Sequence, residues 1–216
     1  MHLIPASWSH LHMLVSVFPS VGLLFTLCFY GGAILTQNEA MKRASLFCLG
    51  MLGLVIIPTY YSGMGSAVVM AQRPGISANA IELHRFWSWF AMVLMGVTAL
   101  VAWINLWLAR SGRRLTDNGV HLTLGLGLLT MFFMIIIGGL GWEVNHGEIF
   151  LATPEDGTPQ IWSHIHMVLN HFPTIGFVFA LFFYIVGIVL NNDVMKRSGL
   201  VAFVACAILG ASTYVT

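Results

Sequence analysis

Charge is what this chain most conspicuously lacks. Of its 216 residues only 8% are Asp, Glu, Lys or Arg, while 58% are hydrophobic. The mean hydropathy of +0.86 lies far outside the balance of a water-soluble domain. The sequence also lacks the two-residue apolar/polar alternation of barrel strands, which excludes a membrane β-barrel. Cysteine is scarce: Cys28, Cys48 and Cys206 all fall in apolar segments, with no C-x-x-C or C-x-x-C-H spacing. Disulfides and covalently attached haem are therefore not expected, and the three read as small buried apolar residues. No basic residue precedes the first apolar segment, which is too long for a cleaved leader and recurs later in the chain; it reads as a structural helix. No acidic residue falls in the middle of an apolar segment to mark an ion path, which weighs against a transporter. With a net charge of +1, no nucleic-acid partner is expected.

What is present is a set of long apolar runs. A hydrocarbon layer about 30 Å thick takes about 20 residues of helix, and backbone groups left unpaired in lipid are too costly for open alternatives. Six segments qualify: Leu11 to Thr36, Ala44 to Met70, His84 to Ala109, Val120 to Trp142, His164 to Leu190 and Ser198 to Thr216. The expected fold is all-α and integral to the membrane, with the lipid bilayer as its first partner. Lys42, Arg43, Arg110, Arg113, Arg114, Lys196 and Arg197 lie in the loops after the first, third and fifth helices, whereas the opposite side carries only Arg73 and Arg85 among basic residues. Basic residues are retained in the cytoplasm, so the N-terminus is expected outside.

That topology sorts the histidines. His2, His10, His12, His84, His146, His164, His166 and His171 fall at or just below the outer surface, and His121 alone lies at the inner end. Part of this layer is a repeat. "SHLHMLVSVFPSVG" from Ser9 returns as "SHIHMVLNHFPTIG" from Ser163, and the match runs on through Phe29-Tyr30 with Phe183-Tyr184, Met41-Lys42-Arg43 with Met195-Lys196-Arg197, and Thr59-Tyr60 with Thr213-Tyr214. Helices five and six therefore repeat helices one and two in the same orientation, unlike the inverted halves of many transporters. The expected organisation is a four-helix bundle over residues 1–152, followed over residues 161–216 by a second, incomplete copy that a longer chain or a partner subunit would complete.

On a helix His10 and His12 lie about 200° apart, so only one faces inward, whereas His164 and His171 share a face about 10 Å apart along the axis. His84, in "IELHRFW", opens the third helix near the depth of His12. The set His12, His84, His166 and His171 is accordingly the expected metal-ligating group, with His10, His146 and His164 as further cofactor contacts. Haem b is the leading cofactor, because a low-spin haem takes two axial ligands from opposite sides and bundle cores hold cofactors between facing helices. Gly22, Gly96, Phe86, Trp87 and Phe90 offer room or stacking surface. Pro19 and Pro173 each free a carbonyl, that of Val15 and of Leu169, which could orient an imidazole. Copper is the alternative, since Met13 and Met167 travel with the histidines and thioether suits Cu(I). The aromatics Trp8, Trp87, Trp89, Trp142 and Trp162 read first as an interfacial belt.

These motifs, with "IPTYYSGMGSA" and "VNHGEI", resemble a family of small, largely uncharacterised bacterial membrane proteins of four helices that open with H-x-H-[LM]-[LV]-x-x-H-F-P. The resemblance implies a haem-binding or respiratory membrane subunit. It departs from the pattern at Val17, where the family has histidine before Phe-Pro, and at Gly139, near a further histidine expected in helix four. The expected function is a b-type cytochrome-like subunit of a bacterial inner membrane, carrying electrons near the periplasmic face between a quinol pool or other membrane subunits and an acceptor such as a periplasmic cytochrome. The alternatives are a structural or assembly subunit of a respiratory or photosynthetic complex, and a copper-binding membrane protein.

Overall fold

A computed structural model describes residues 7–110, 113–146 and 161–212, excepting the side chains of Glu143, Asn145, His146 and residues 161–168. Among the described residues there is no strand, and six helices are long and apolar enough to cross a membrane: α1 (Trp8–Leu35), α2 (Glu39–Met70), α3 (Ala78–Leu108), α4 (Asp117–His146), α5 (Ile161–Val189) and α6 (Asp193–Ser212). The chain is a multi-pass membrane protein. The end of the bundle that holds His12 is here the histidine end, and the opposite end, which holds Arg43, the arginine end.

Each of the six helices begins ahead of its apolar run, because the first turn carries polar residues that serve the orphan amides of a helix start. Ser7 accepts from the His10 amide, Asn38 from Met41 and Ser77 from Ala80. The largest shift is in α3, which starts at Ala78, so that His84 does not open the helix but lies about 9 Å inside it.

Proline marks the irregular part of α1. Pro19 has no amide to give, and residues Phe18–Gly22 widen into a π turn. Around it the Ser20 hydroxyl lies 3.3 Å from the carbonyls of Ser16 and Val17. The Val15 carbonyl that the sequence assigns to an imidazole accepts instead from the Phe18 amide, with the Thr59 hydroxyl of α2 3.4 Å away and its shorter bond going to Val55 at 2.9 Å.

Helices α1 to α4 close on one another as a four-helix ring, α1 packing on α2, α2 on α3, α3 on α4 and α4 back on α1. Small residues bring the backbones together, as helix association in lipid requires. Gly50 leaves room for the ring of Trp103, Gly53 for Ala99 and Gly127 for Leu27. Between α3 and α4 the buried hydroxyls of Thr98 and Thr130 pair at 2.8 Å, and Asn105 donates to Thr123 at 2.9 Å. At the arginine end Arg43 donates to the Ala109 carbonyl at 2.9 Å and to that of Arg113, tying α2 to the end of α3. Cys48 and Cys206 are buried as expected, but Cys28 is exposed on the outside of α1.

The α5–α6 hairpin joins this ring through α1, and it does so symmetrically. Phe29 stacks on Phe183 with centroids 3.8 Å apart, and these are the same position in the two copies. Gly22 is filled by Phe179 and Gly176 by Phe25, a reciprocal exchange, since Gly176 and Phe179 are the repeats of Gly22 and Phe25. Asn38 and Asn192, 154 residues apart, exchange amide hydrogen bonds of 2.9 and 3.1 Å. Even the connections agree. Gln37 and Asn191 take left-handed φ values of 51° and 47°, and the following Asn amide reaches back to Ala33 or Gly187, closing each helix by the same motif. The two copies meet about a local two-fold axis, like surface on like surface.

Candidate functional site

The histidine end of the ring is built on α1 and α2. Three successive contacts seat the start of α1 on the "TYYSGMGSA" stretch of α2: Trp8 covers Gly65, the Ser9 and Ser66 hydroxyls meet at 3.1 Å, and the His12 ring lies on Gly63. A Cβ on Gly63 would stand 2.9 Å from His12 Cε1, so only glycine leaves the imidazole its place.

His12 Nδ1 is 3.0 Å from the Thr59 carbonyl oxygen and 3.3 Å from Ser62 Oγ, and the Ser62 hydroxyl itself donates to Thr59 at 2.9 Å. A carbonyl can only accept, so Nδ1 carries the hydrogen and Nε2 of the neutral ring keeps a free lone pair. A backbone carbonyl fixing Nδ1–H is the arrangement that presents Nε2 as a ligand.

His84 of α3 faces the same region. Its ring lies against Gly141 of α4, where a Cβ would come within 3.1 Å of Cε1, and it is near the Ile137 carbonyl. His12 and His84 stand close enough for a charge on one ring to act on the other. Among the described residues His84 Nδ1 and, one turn further along the same face of α3, Ser88 Oγ are buried with no well-formed hydrogen bond, the Ile137 carbonyl being the backbone acceptor nearest the ring. A buried nitrogen so placed is costly unless a further group supplies a partner.

Of the seven predicted site residues, His12 and His84 have rings within reach of each other's charge. His10 lies about 200° round α1 from His12, in the first turn. His171 is half-buried on α5 and does not join the pair. The side chains of His146, His164 and His166 lie outside the described residues. The predicted apolar surround is corrected in part. Phe179 fills the space beside Gly22, and Phe86 and Phe90 are 55% and 41% exposed, turned outward with the belt, whereas Trp87 turns in toward Phe133 with centroids 5.7 Å apart. Met13, the thioether beside His12 in sequence, is 62% exposed and points away from the ring. His121 Nδ1–H donates to the Asp117 carbonyl of its own helix at 2.7 Å.

The residues that sequence reasoning missed are those that hold the imidazoles: Thr59, Ser62, Gly63 and Gly141. Thr59 had a signal, since Thr59-Tyr60 is part of the repeat; a helical glycine carries none until its neighbour is known. No family model, curated protein or solved structure matches the chain.

The donor set limits what the site can hold. Among the described residues no group of three or more His, Cys, Asp or Glu comes together to hold a metal ion. A bare zinc or copper ion takes three or four protein ligands, whereas haem brings four nitrogens of its own and asks the protein for one or two. Two imidazoles on separate helices fit the second demand and fall short of the first.

Proposed function

We propose that this chain is a membrane subunit that holds haem b between His12 and His84, near the periplasmic side of a bacterial inner membrane, and carries electrons between a quinol pool or neighbouring subunits and a periplasmic acceptor. The observation that carries the reading is that His12 on α1 and His84 on α3 lie within reach of each other's charge, one with Nδ1–H fixed on a carbonyl and the other with a buried Nδ1 unpartnered among the described residues. When bound, haem supplies the one-electron chemistry of its iron. The chain supplies the rest: Thr59 and Ser62 set the tautomer and orientation of His12, Gly63 and Gly141 let the rings lie close to backbone, and the surrounding helices exclude water. The orientation follows from the seven basic residues at the arginine end.

The test is an absorption spectrum of the purified protein, as isolated and after titration with haemin. The reading expects a Soret band and a reduced α band that are lost in His12→Ala and in His84→Ala. Bands that persist unchanged in both variants, or no binding of haemin to the folded wild type, overturn it.

A second reading, a structural subunit without cofactor, has an observation of its own. His12 already clamps α1 to α2 through Thr59, which is how interhelical polar groups act as glue in lipid. It expects His12→Ala to lower stability with no spectral counterpart.

A further inference from the structure

The local two-fold relates α2 to α6, and the two helices are not treated alike. On α2 the face formed by Phe47, Gly50 and Gly53 is covered by α3, with Trp103 against the first two and Ala99 in the third. The same face of α6 is Val201, Val204 and Ala207. It is open: Val201 is 69% and Val204 59% exposed, and Leu200 is 49% exposed where its repeat, Leu46, is fully buried. Lipid alone would account for an open apolar face, but a second feature at its arginine end is not apolar. Arg43 on α2 grips the carbonyl of Ala109, which caps the C-terminal end of α3, and that of Arg113 in the loop beyond it. Its repeat, Arg197, is exposed and has no hydrogen bond among the described residues; Asp193 one turn back is hydrogen-bonded to Lys196 at 2.7 Å and meets Arg197 only through its charge. The copy has kept the latch and shows nothing latched.

We propose that the Val201, Val204 and Ala207 face of α6 seats a membrane-spanning helix of a partner subunit, running from the histidine end to the arginine end and finishing with its free carbonyls on Arg197. A guanidinium at the C-terminal end of a helix meets both the unpaired carbonyls and the negative end of the helix dipole, as Arg43 does for α3. The partner is not α3 of a second copy. Trp103 fits against α2 because Gly50 has no side chain, and a Cβ there would already collide with the indole; Val204 closes that space. The fitting helix therefore carries a small residue opposite Val204, the usual means of close approach in lipid.

The full-length chain, in membranes of the cell that makes it, is given a photoreactive benzoylphenylalanine at Val204 and, as a control on the outward face of α5, at Ile185. The proposal expects a discrete adduct from position 204 and none from 185, with mass spectrometry placing the cross-link in an apolar segment of a different polypeptide. It further expects Arg197→Gln to reduce that adduct severalfold while the helix content and the amount of chain in the membrane stay unchanged. Adducts with lipid only, an adduct with a second copy of this chain, equal adducts from 185, or an adduct indifferent to Arg197→Gln each overturn it. None of these outcomes depends on whether His12 and His84 bind haem.

Discussion

The amide pair on the two-fold axis allows a cooperative interface to be measured. Asn38 and Asn192 each do two things: Oδ1 caps its own helix, accepting from Met41 at 2.9 Å or Met195 at 3.0 Å, and the two amides exchange bonds of 2.9 and 3.1 Å. A lost Asn cap costs about 1 kcal/mol. Interhelical hydrogen bonds in membranes average about 0.6 kcal/mol, so the exchanged pair contributes about 1.2 kcal/mol. Asn38→Ala and Asn192→Ala should each cost about 2.2 kcal/mol on these figures. The double variant loses two caps but the shared pair only once, about 3.2 kcal/mol, against about 4.4 for simple addition. The expected coupling is thus about 1.2 kcal/mol, read from reversible unfolding in mixed micelles by a double-mutant cycle. Additivity within about 0.5 kcal/mol would refute the claim that these residues act as one unit across the axis.

Other substitutions probe the seams and the site. Gly63→Val places a side chain where the His12 ring lies, and should weaken haemin binding by about 10–100-fold, as loss of a ligand's supporting contacts does, measured by Soret titration. Ser62→Ala, which removes one of the two acceptors around Nδ1 and leaves the Thr59 carbonyl, should fall at the lower end of that range, about 10-fold. Gly176→Leu forces a side chain onto Phe25 and Cys206 at the two-fold seam and should destabilise by about 1–3 kcal/mol in the same micelle assay. Thr98→Val and Thr130→Val should each cost about 0.6 kcal/mol, with the double variant no worse than about 1, because both remove the same hydroxyl pair.

Much of the fold was legible because lipid leaves so few options. Length and apolarity alone give six helices, and the repeat predicts that helices five and six copy one and two. Helix starts were not legible from hydropathy, since the polar turns at Glu39, Ala78 and Asp193 are helical for reasons of capping and not of apolarity. The local two-fold was also hidden. Phe29 and Phe183 match in sequence whether or not they touch, and only packing shows that like meets like. At the site, the similar depth of His12 and His84 followed from counting along helices. The supporting residues did not, because Gly63 and Gly141 matter for what they lack, and Thr59 acts on His12 through its backbone, which no side-chain motif records.

The repeat also shows how a duplicated surface becomes two different ones. At the reciprocal contacts of the two copies Gly22, Phe25, Phe29 and Asn38 return unchanged as Gly176, Phe179, Phe183 and Asn192, whereas Cys28 and Ala44 become Phe182 and Ser198, which also meet the other copy. Away from the axis the copies differ too. Gly50 and Gly53 become Val204 and Ala207, Val17 faces His171 across the alignment, and Pro58 becomes Ser212. A two-fold contact penalises a substitution in either copy by disturbing both, because a residue on the axis packs against its own counterpart. On the outer faces the constraint is single, and there α2 and α6 have different neighbours: α3 on the one, and on the other an open face ending in Arg197.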